Sequence, residues 1–355
     1  MRSTPHPDLP NVDPSVVLPD IQELLASAVV VRIPLSLPFR GISHREAVLL
    51  RGPLGWAEFA PFTEYADAEA SRWLLAAIEG GWYGWPAPVR DSVGVNATVP
   101  AVPAAQVPGV LARFPGCTTA KVKVAQRGQG LMDDLDRVAA VRAHLGPAAR
   151  VRVDANAGWD LTQARDALIR LSAYDLEYAE QPVAEVPDLA RLRRTLAADG
   201  VSVPIAADES IRRAQDPIRI AREQAADLVV VKVAPLGGVR AALRIVAQCG
   251  LPAVVSSALD TSVGIAAGVA LAAALPDLRH DCGLGTVALL QGDVTGAPLR
   301  PAQGLLTLDA AHRALAGVRA ELMEQHRADP GTAGWWLARL ARCRALLGEP
   351  RPEFT

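Results

Sequence analysis

The chain has little of what marks a zinc, redox, nucleic-acid-binding or membrane protein. Its four cysteines are spread across 355 residues. Cys117, Cys249, Cys282 and Cys343 form no CxxC pair, the spacing that zinc and dithiol sites require. They are expected to be reduced and buried. Aromatic residues make up only 5%, and the formal net charge is −2, so no broad positive field would attract nucleic acid or an anionic membrane. No apolar run approaches the roughly 18 residues of a membrane span, and MRSTPHPDLPNVDPS lacks an apolar signal core. A soluble cytoplasmic protein is expected, with a small-molecule carboxylate substrate, no nucleic-acid or membrane partner, and no obligate protein partner.

Half of the residues are hydrophobic, an ordinary globular α/β composition. Residues 1–18, rich in proline and polar groups, are expected to form a disordered tail. Residues 19–27 suit a short helix. AVVVRIPLSL (28–37), REAVLLRG (45–52) and GWAEFAPF (55–62) read as strands, and 66–79 as a helix ending at Gly80-Gly81. GWYGWPAP reads as a linker, because its glycines and prolines interrupt regular structure. The texture then becomes a repeat of valine-rich runs: VGVNATV, TAKVKVA, RVRVDAN, LEYAEQP, PIAADES, DLVVVKVAP, PAVVSSAL and, less clearly, RHDCGLG. Helical patterns separate them at 132–145, 161–173, 187–199, 238–249 and 262–274. Strands alternating with helices in this way predict an α/β fold, a (β/α)₈ TIM-type barrel. The expected organisation is an α+β capping domain over 19–90, the barrel over 91–295, and a segment 296–355 packing on cap and barrel. In that last segment, 334–347 reads as an amphipathic helix anchored by Trp335 and Trp336. An open doubly wound sheet is disfavoured, since APLGGVRAAL (234–243) follows a late strand and lacks GxGxxG spacing.

In a parallel barrel the chemistry gathers at the C-terminal ends of the strands. Three acids occur there on successive runs, Asp154, Glu180 and Asp208, separated by 26 and 28 residues. Clustered carboxylates repel and favour a bound cation. An all-oxygen donor set without a nearby histidine or thiolate favours a hard ion, so Mg²⁺ is expected, with Mn²⁺ tolerated. The alternative is that these acids only form salt bridges. Alternation in AKVKVA places Lys121 and Lys123 on one side of a strand, facing inward, and Lys232 repeats the pattern in VVVKVAP. Inward ammoniums are costly unless carboxylates or function offset them. Close to one another and to an ion, these lysines are expected to have depressed pKa values, as a general base near neutral pH requires. Asn156, Glu209, Ser256 and Ser257 lie at the same strand ends.

The ordered series Lys121/Lys123, Asp154/Asn156, Glu180-Gln181-Pro182, Asp208-Glu209-Ser210 and Lys232 resembles the enolase superfamily, in its muconate-lactonizing branch. PFRG (38–41), GWAEFAPF, SSALDTSVG (256–264) and CGLGTVALL (282–290) are most similar to the o-succinylbenzoate synthase family of actinobacterial type. The resemblance implies an enzyme, a lyase. It would dehydrate 2-succinyl-6-hydroxy-2,4-cyclohexadiene-1-carboxylate to o-succinylbenzoate through an enediolate, towards menaquinone. It also implies residue roles: Asp154, Glu180 and Asp208 hold the metal, with Asn156 and Glu209 supporting them. Lys123 is the base that then returns its proton to the departing hydroxide. Lys232 stabilises the enolate, and Lys121 contacts the carboxylate and lowers the pKa of Lys123. Ser256, Ser257 and the backbone near Gly283 hold the succinyl tail, and Arg40 closes the site from the cap. The nearest alternative is an N-acylamino acid racemase or dipeptide epimerase with Lys123 and Lys232 as opposed bases. A muconate cycloisomerase and a catalytically silent binding protein are more distant readings.

Overall fold

The computed structural model describes residues 17–212 and 218–348. The expected tail lies outside the described residues apart from Val17 and Leu18. Alternating apolar residues fold first as an antiparallel sheet of β1 (Val29–Phe39), β2 (Ile42–Gly52) and β3 (Gly55–Phe59), after a short helix Ile21–Ser27. Helix Asp67–Ile78 covers this sheet and buries Trp73, Leu74, Ala77 and Ile78. The same apolar cluster takes in Trp336, Leu340, Cys343 and Leu347 from the last helix, Pro330–Leu347, so the C-terminal segment rests on the cap. Trp336 is fully buried, meets Phe59 edge-on at 6.1 Å and donates to Glu46 at 2.8 Å. Trp335, expected as a second anchor, is instead 44% exposed, because its neighbour occupies the inward position on that face. The expected linker also begins differently. A wide helical turn, Glu79–Tyr83, extends the preceding helix, and bare Gly80 lets the Trp85 ring pack where a Cβ would stand 3.2 Å from it.

The barrel follows. β4 (Ser92–Gly94) precedes seven parallel strands: β5 (Ala97–Val99), β6 (Thr119–Lys123), β7 (Arg150–Asp154), β8 (Leu176–Glu180), β9 (Ile205–Ala207), β10 (Leu228–Val231) and β11 (Ala253–Val255). Among the described residues they are ordered sequentially from β5 to β11. Their apolar positions are almost all buried, as strands enclosed by helices should be. The weakest strand signal, RHDCGLG, forms no regular strand. Two parallel bridges, Val95 with Cys282 and Ser256 with Gly283, join the edges of the sheet and close the circle. The amide of Cys282 donates to Gly94 at 2.7 Å and that of Gly283 to Val255 at 2.8 Å. β12 (Leu305–Thr307) pairs antiparallel with β4.

Inside the barrel, register builds layers. Lys121, Arg152 and Tyr178 are neighbours across β6, β7 and β8, and Lys123, Asp154 and Glu180 form the next layer towards the C-terminal mouth. The lower interior is plugged by Tyr178, Ala206, Leu228, Val230 and Val254. Arg152 lies fully buried over the Tyr178 ring at 4.8 Å.

Candidate active site

The strands from β6 to β11 carry most of the expected residues at their last position or just beyond, and after β6, β7 and β8 the backbone turns sharply away. Ala125, Asn156, Ala157 and Gln181, all non-glycine, adopt φ values of 58°, 45°, 60° and 39° after β6, β7 and β8. Such left-handed residues cost about 1–3 kcal/mol each and persist where the surroundings over-determine them. Gln181 shows how. Its buried Oε1 accepts from the amides of Asp208 and Ser210 at 2.9 and 3.1 Å. Its Nε2 donates to Val183 O at 2.9 Å and Ser210 Oγ at 2.7 Å. This side chain ties the end of β8 to the turn after β9. In the sequence it was visible only as the middle of Glu-Gln-Pro.

Asp154, Glu180 and Asp208 are each about 1% exposed and stand on adjacent strands. Lysines thread between them. The Lys121 ammonium donates to both oxygens of Glu180 at 3.0 Å and lies 3.1 Å from Asp154. Lys123 pairs with Asp154 and donates to Asn156 Oδ1 at 2.5 Å, while Lys232 pairs with Asp208. Asn156 donates in turn to Glu209 at 3.3 Å. The side chains thus stand as an ion-pair lattice. Among the described residues, no three His, Cys, Asp or Glu side chains are gathered into an arrangement that holds a metal as they lie.

The donor set nevertheless fits a hard cation. Its three buried carboxylates stand on adjacent strands and offer only oxygen donors; burial pushes Glu180 up to about 7, and the charges of Asp154 and Asp208 add to it while Lys121 opposes. Asp154 is driven the other way: burial opposes its charge, but Lys123 and Lys121 outweigh burial and lower it. The two lysines of β6 separate. Burial pulls Lys123 below the ordinary lysine value and the neighbouring Lys121 charge adds to this, with Asp154 only partly opposing. Lys121 departs from the expected depression. Burial lowers it too, but Glu180 and Asp154 together overcome burial and raise it. A cation gripped by two carboxylates stays a cation.

A cavity of about 540 Å³ opens over this lattice. It brings together ten of the expected residues: Arg40, Lys121, Lys123, Asp154, Asn156, Asp208, Lys232, Ser256, Ser257 and Gly283. Glu180 lies below its floor and Glu209 behind Asn156. Ser257 Oγ contacts Gly283 O at 2.9 Å and Thr286 Oγ1 at 2.8 Å. Arg40 reaches over from the β1–β2 turn, 4.3 Å above the Phe62 ring and 3.8 Å from Glu64. Thr98, Thr286 and Phe39 also line the cavity; Phe39 and Thr286 fall within PFRG and CGLGTVALL, but those motifs gave neither side chain a role.

Residues 109–314 match the family described as enolase C-terminal domain-like, and residues 30–81 match enolase N-terminal domain-like. The o-succinylbenzoate synthase of Thermobifida fusca is 54% identical over 324 residues, covering 90% of this chain and 97% of that protein. That of Mycobacterium tuberculosis is 52% identical over 332 residues, covering 93% and 98%. Among solved structures, muconate lactonizing enzyme from Pseudomonas fluorescens complexed with muconolactone aligns with a TM-score of 0.73 at 23% identity. That alignment covers 85% of this chain and 98% of the other. The L-Ala-D/L-Glu epimerase from Bacillus subtilis aligns with a TM-score of 0.68 at 23% identity, covering 79% and 94%. These structures share the barrel-and-cap fold. Members of the enolase superfamily bind a divalent metal ion. The chain belongs to the enolase superfamily, within the family of the o-succinylbenzoate synthases.

Proposed function

We propose that this chain is a Mg²⁺-dependent lyase that converts 2-succinyl-6-hydroxy-2,4-cyclohexadiene-1-carboxylate to o-succinylbenzoate by syn dehydration. The observation that carries the reading is the pair of lysines, Lys123 at the end of β6 and Lys232 just after β10, facing one cavity with buried carboxylates between them. The relationship to the o-succinylbenzoate synthases selects the substrate.

Asp154, Glu180 and Asp208 would hold the ion, Mg²⁺ with Mn²⁺ as a substitute. When bound, it supplies positive charge against the negative charge that develops on the substrate carboxylate as the α-proton leaves. Lys123, depressed by burial, takes that proton on Nζ. In a syn elimination the hydroxyl departs from the same face, so the same ammonium returns the proton and water leaves. Lys232, on the opposite side, lies off the proton's path and contributes its charge. Lys121, held protonated by its two carboxylates, keeps positive charge beside the reacting carboxylate without competing as a base. Ser256, Ser257 and Gly283 border the space for the succinyl tail, with Arg40 across the opening.

The test is direct. The full chain is incubated with Mg²⁺ and the cyclohexadiene carboxylate, and aromatic product absorbance is followed. N-succinylamino acids are assayed in parallel for racemisation with solvent deuterium uptake. Aromatisation is expected. Deuterium exchange into an N-succinylamino acid without aromatisation would replace this reading with two-base racemisation through Lys123 and Lys232.

A further inference from the structure

The segment after β11, Ser256–Thr261, has an unusual position. Ser256, Ser257 and Ala258 line the catalytic cavity and also a second cavity of about 570 Å³ behind it, between the cap and the barrel. Trp56, Trp73, Trp85, Glu58 and Gly264 are among the residues facing that second space. The segment is therefore a partition between the two spaces, with Ala258, Leu259 and Thr261 buried in the packing around it. Leu259 within it has φ 63°, a left-handed conformation for a non-glycine residue. A partition strained at Leu259 has to be held by its surroundings.

The cap supplies the fixed points. Glu58, at the end of β3, is 9% exposed and reaches across to the barrel. Its carboxylate accepts from Thr261 N at 3.1 Å, Thr261 Oγ1 at 2.5 Å and Gly264 N at 3.0 Å. Thr261 is itself the N-cap of helix Ser262–Ala274, accepting from Val263 N at 3.2 Å. Arg45, from β2, is 2% exposed and donates to Leu259 O at 3.0 Å, with a further bond to Ala60 O. It lies 3.8 Å from Asp260, which accepts from Ala258 N at 3.0 Å. Gly264 leaves room for this grip, since a Cβ there would stand 2.6 Å from Asp260 Cβ and 3.0 Å from Glu58 Oε2. Every fixed point falls on the partition or on the first turn of the helix that follows it.

We propose that Glu58 and Arg45 are positioning residues, through which the cap holds the Ser256–Thr261 partition in place and so sets how the catalytic cavity receives the substrate tail. This rests on the reading of the reaction given above. The cap then acts on substrate choice through the barrel's own wall, in addition to whatever it touches across the opening.

The test uses the full chain with Glu58→Gln and Thr261→Val, and Thr261→Ser as the conservative partner. Hydrogen–deuterium exchange across 256–264 is measured alongside steady-state kinetics with the cyclohexadiene carboxylate and Mg²⁺. We expect exchange at 256–264 to rise about tenfold in the first two variants, with 119–123 and 150–154 unchanged. KM should rise about tenfold while kcat stays within about threefold, and Thr261→Ser should restore both. Unchanged exchange at 256–264 overturns the proposal. So does an equal loss in kcat and kcat/KM with faster exchange throughout the barrel, which marks Glu58 as a general stability residue. If the unmodified protein does not turn the substrate over, the functional reading fails, and the positioning proposal is decided by the exchange measurement alone.

Discussion

At the scale of single residues, Lys121 and Lys123 show how two identical side chains on one strand come to differ. Both are buried, and the partners divide them: two carboxylates surround Lys121, while Lys123 shares Asp154 with its neighbour and bonds to neutral Asn156. Lys123→Ala should lower turnover by about 10²–10⁴-fold or more, the range for loss of a general base. Mg²⁺ binding by calorimetry should persist. Asp208→Asn should do the reverse first, weakening Mg²⁺ at least about tenfold, or about 1.4 kcal/mol. Near-normal kcat in the one, or unchanged metal affinity in the other, would remove the assigned role. The positions of these groups were legible because alternation and strand spacing are properties of the chain alone. Their divergence was not, since it depends on which carboxylate each ammonium meets in space.

Elements place these residues, and buried charge holds the elements. Arg137, on helix Leu131–Leu145, is fully buried beside the end of β6. It donates to Val102 O at 2.6 Å, Lys123 O at 2.8 Å and Asp134 Oδ1 at 2.9 Å, and Asp134 accepts from Ala125 N at 2.9 Å. The pair thus fixes the backbone on both sides of Val124, including the left-handed Ala125. Arg137→Met leaves buried Asp134 without its ion-pair partner and two carbonyls without this donor, and should cost about 3–5 kcal/mol in urea unfolding. A loss below about 1 kcal/mol, the range of a surface ion pair, would show that the pair is not holding this turn. The helix itself was readable from its apolar period. Arg137 was not, because an arginine in a helical pattern reads as a solvated face until the loops that cover it are known.

For the whole molecule, the lower end of the barrel should contribute to the acid limb of stability. Glu177 accepts from Arg152 and lies 2.8 Å from His280 Nδ1, with Arg150 at 3.9 Å. Burial opposes its charge, but the His280 bond and Arg152 outweigh burial and lower it from 4.5 to about 2. A depressed carboxylate contributes stability above its ordinary value and loses it as pH falls through the folded one. Stability should therefore fall between about pH 4.5 and pH 2. Glu177→Gln should be less stable than the parent at pH 7, with the gap closing below pH 3 in urea titrations. A gap that stayed constant with pH would exclude this source. The strand–helix alternation made the barrel legible, but its closure was harder to see. RHDCGLG is a poor strand because its partners need only two residues from it.

That short closure has a consequence for how the fold can diverge. Gly283 both completes the circle and borders the catalytic cavity, and a Cβ there would stand 2.5 Å from Ser256 Oγ. A side chain at Gly283 would therefore press on the strand end that closes the barrel as well as on the pocket, so this position has no cheap route to a new substrate. The β1–β2 turn that bears Arg40 borders the same cavity from outside the circle of strands, so a changed side chain there leaves the closure intact.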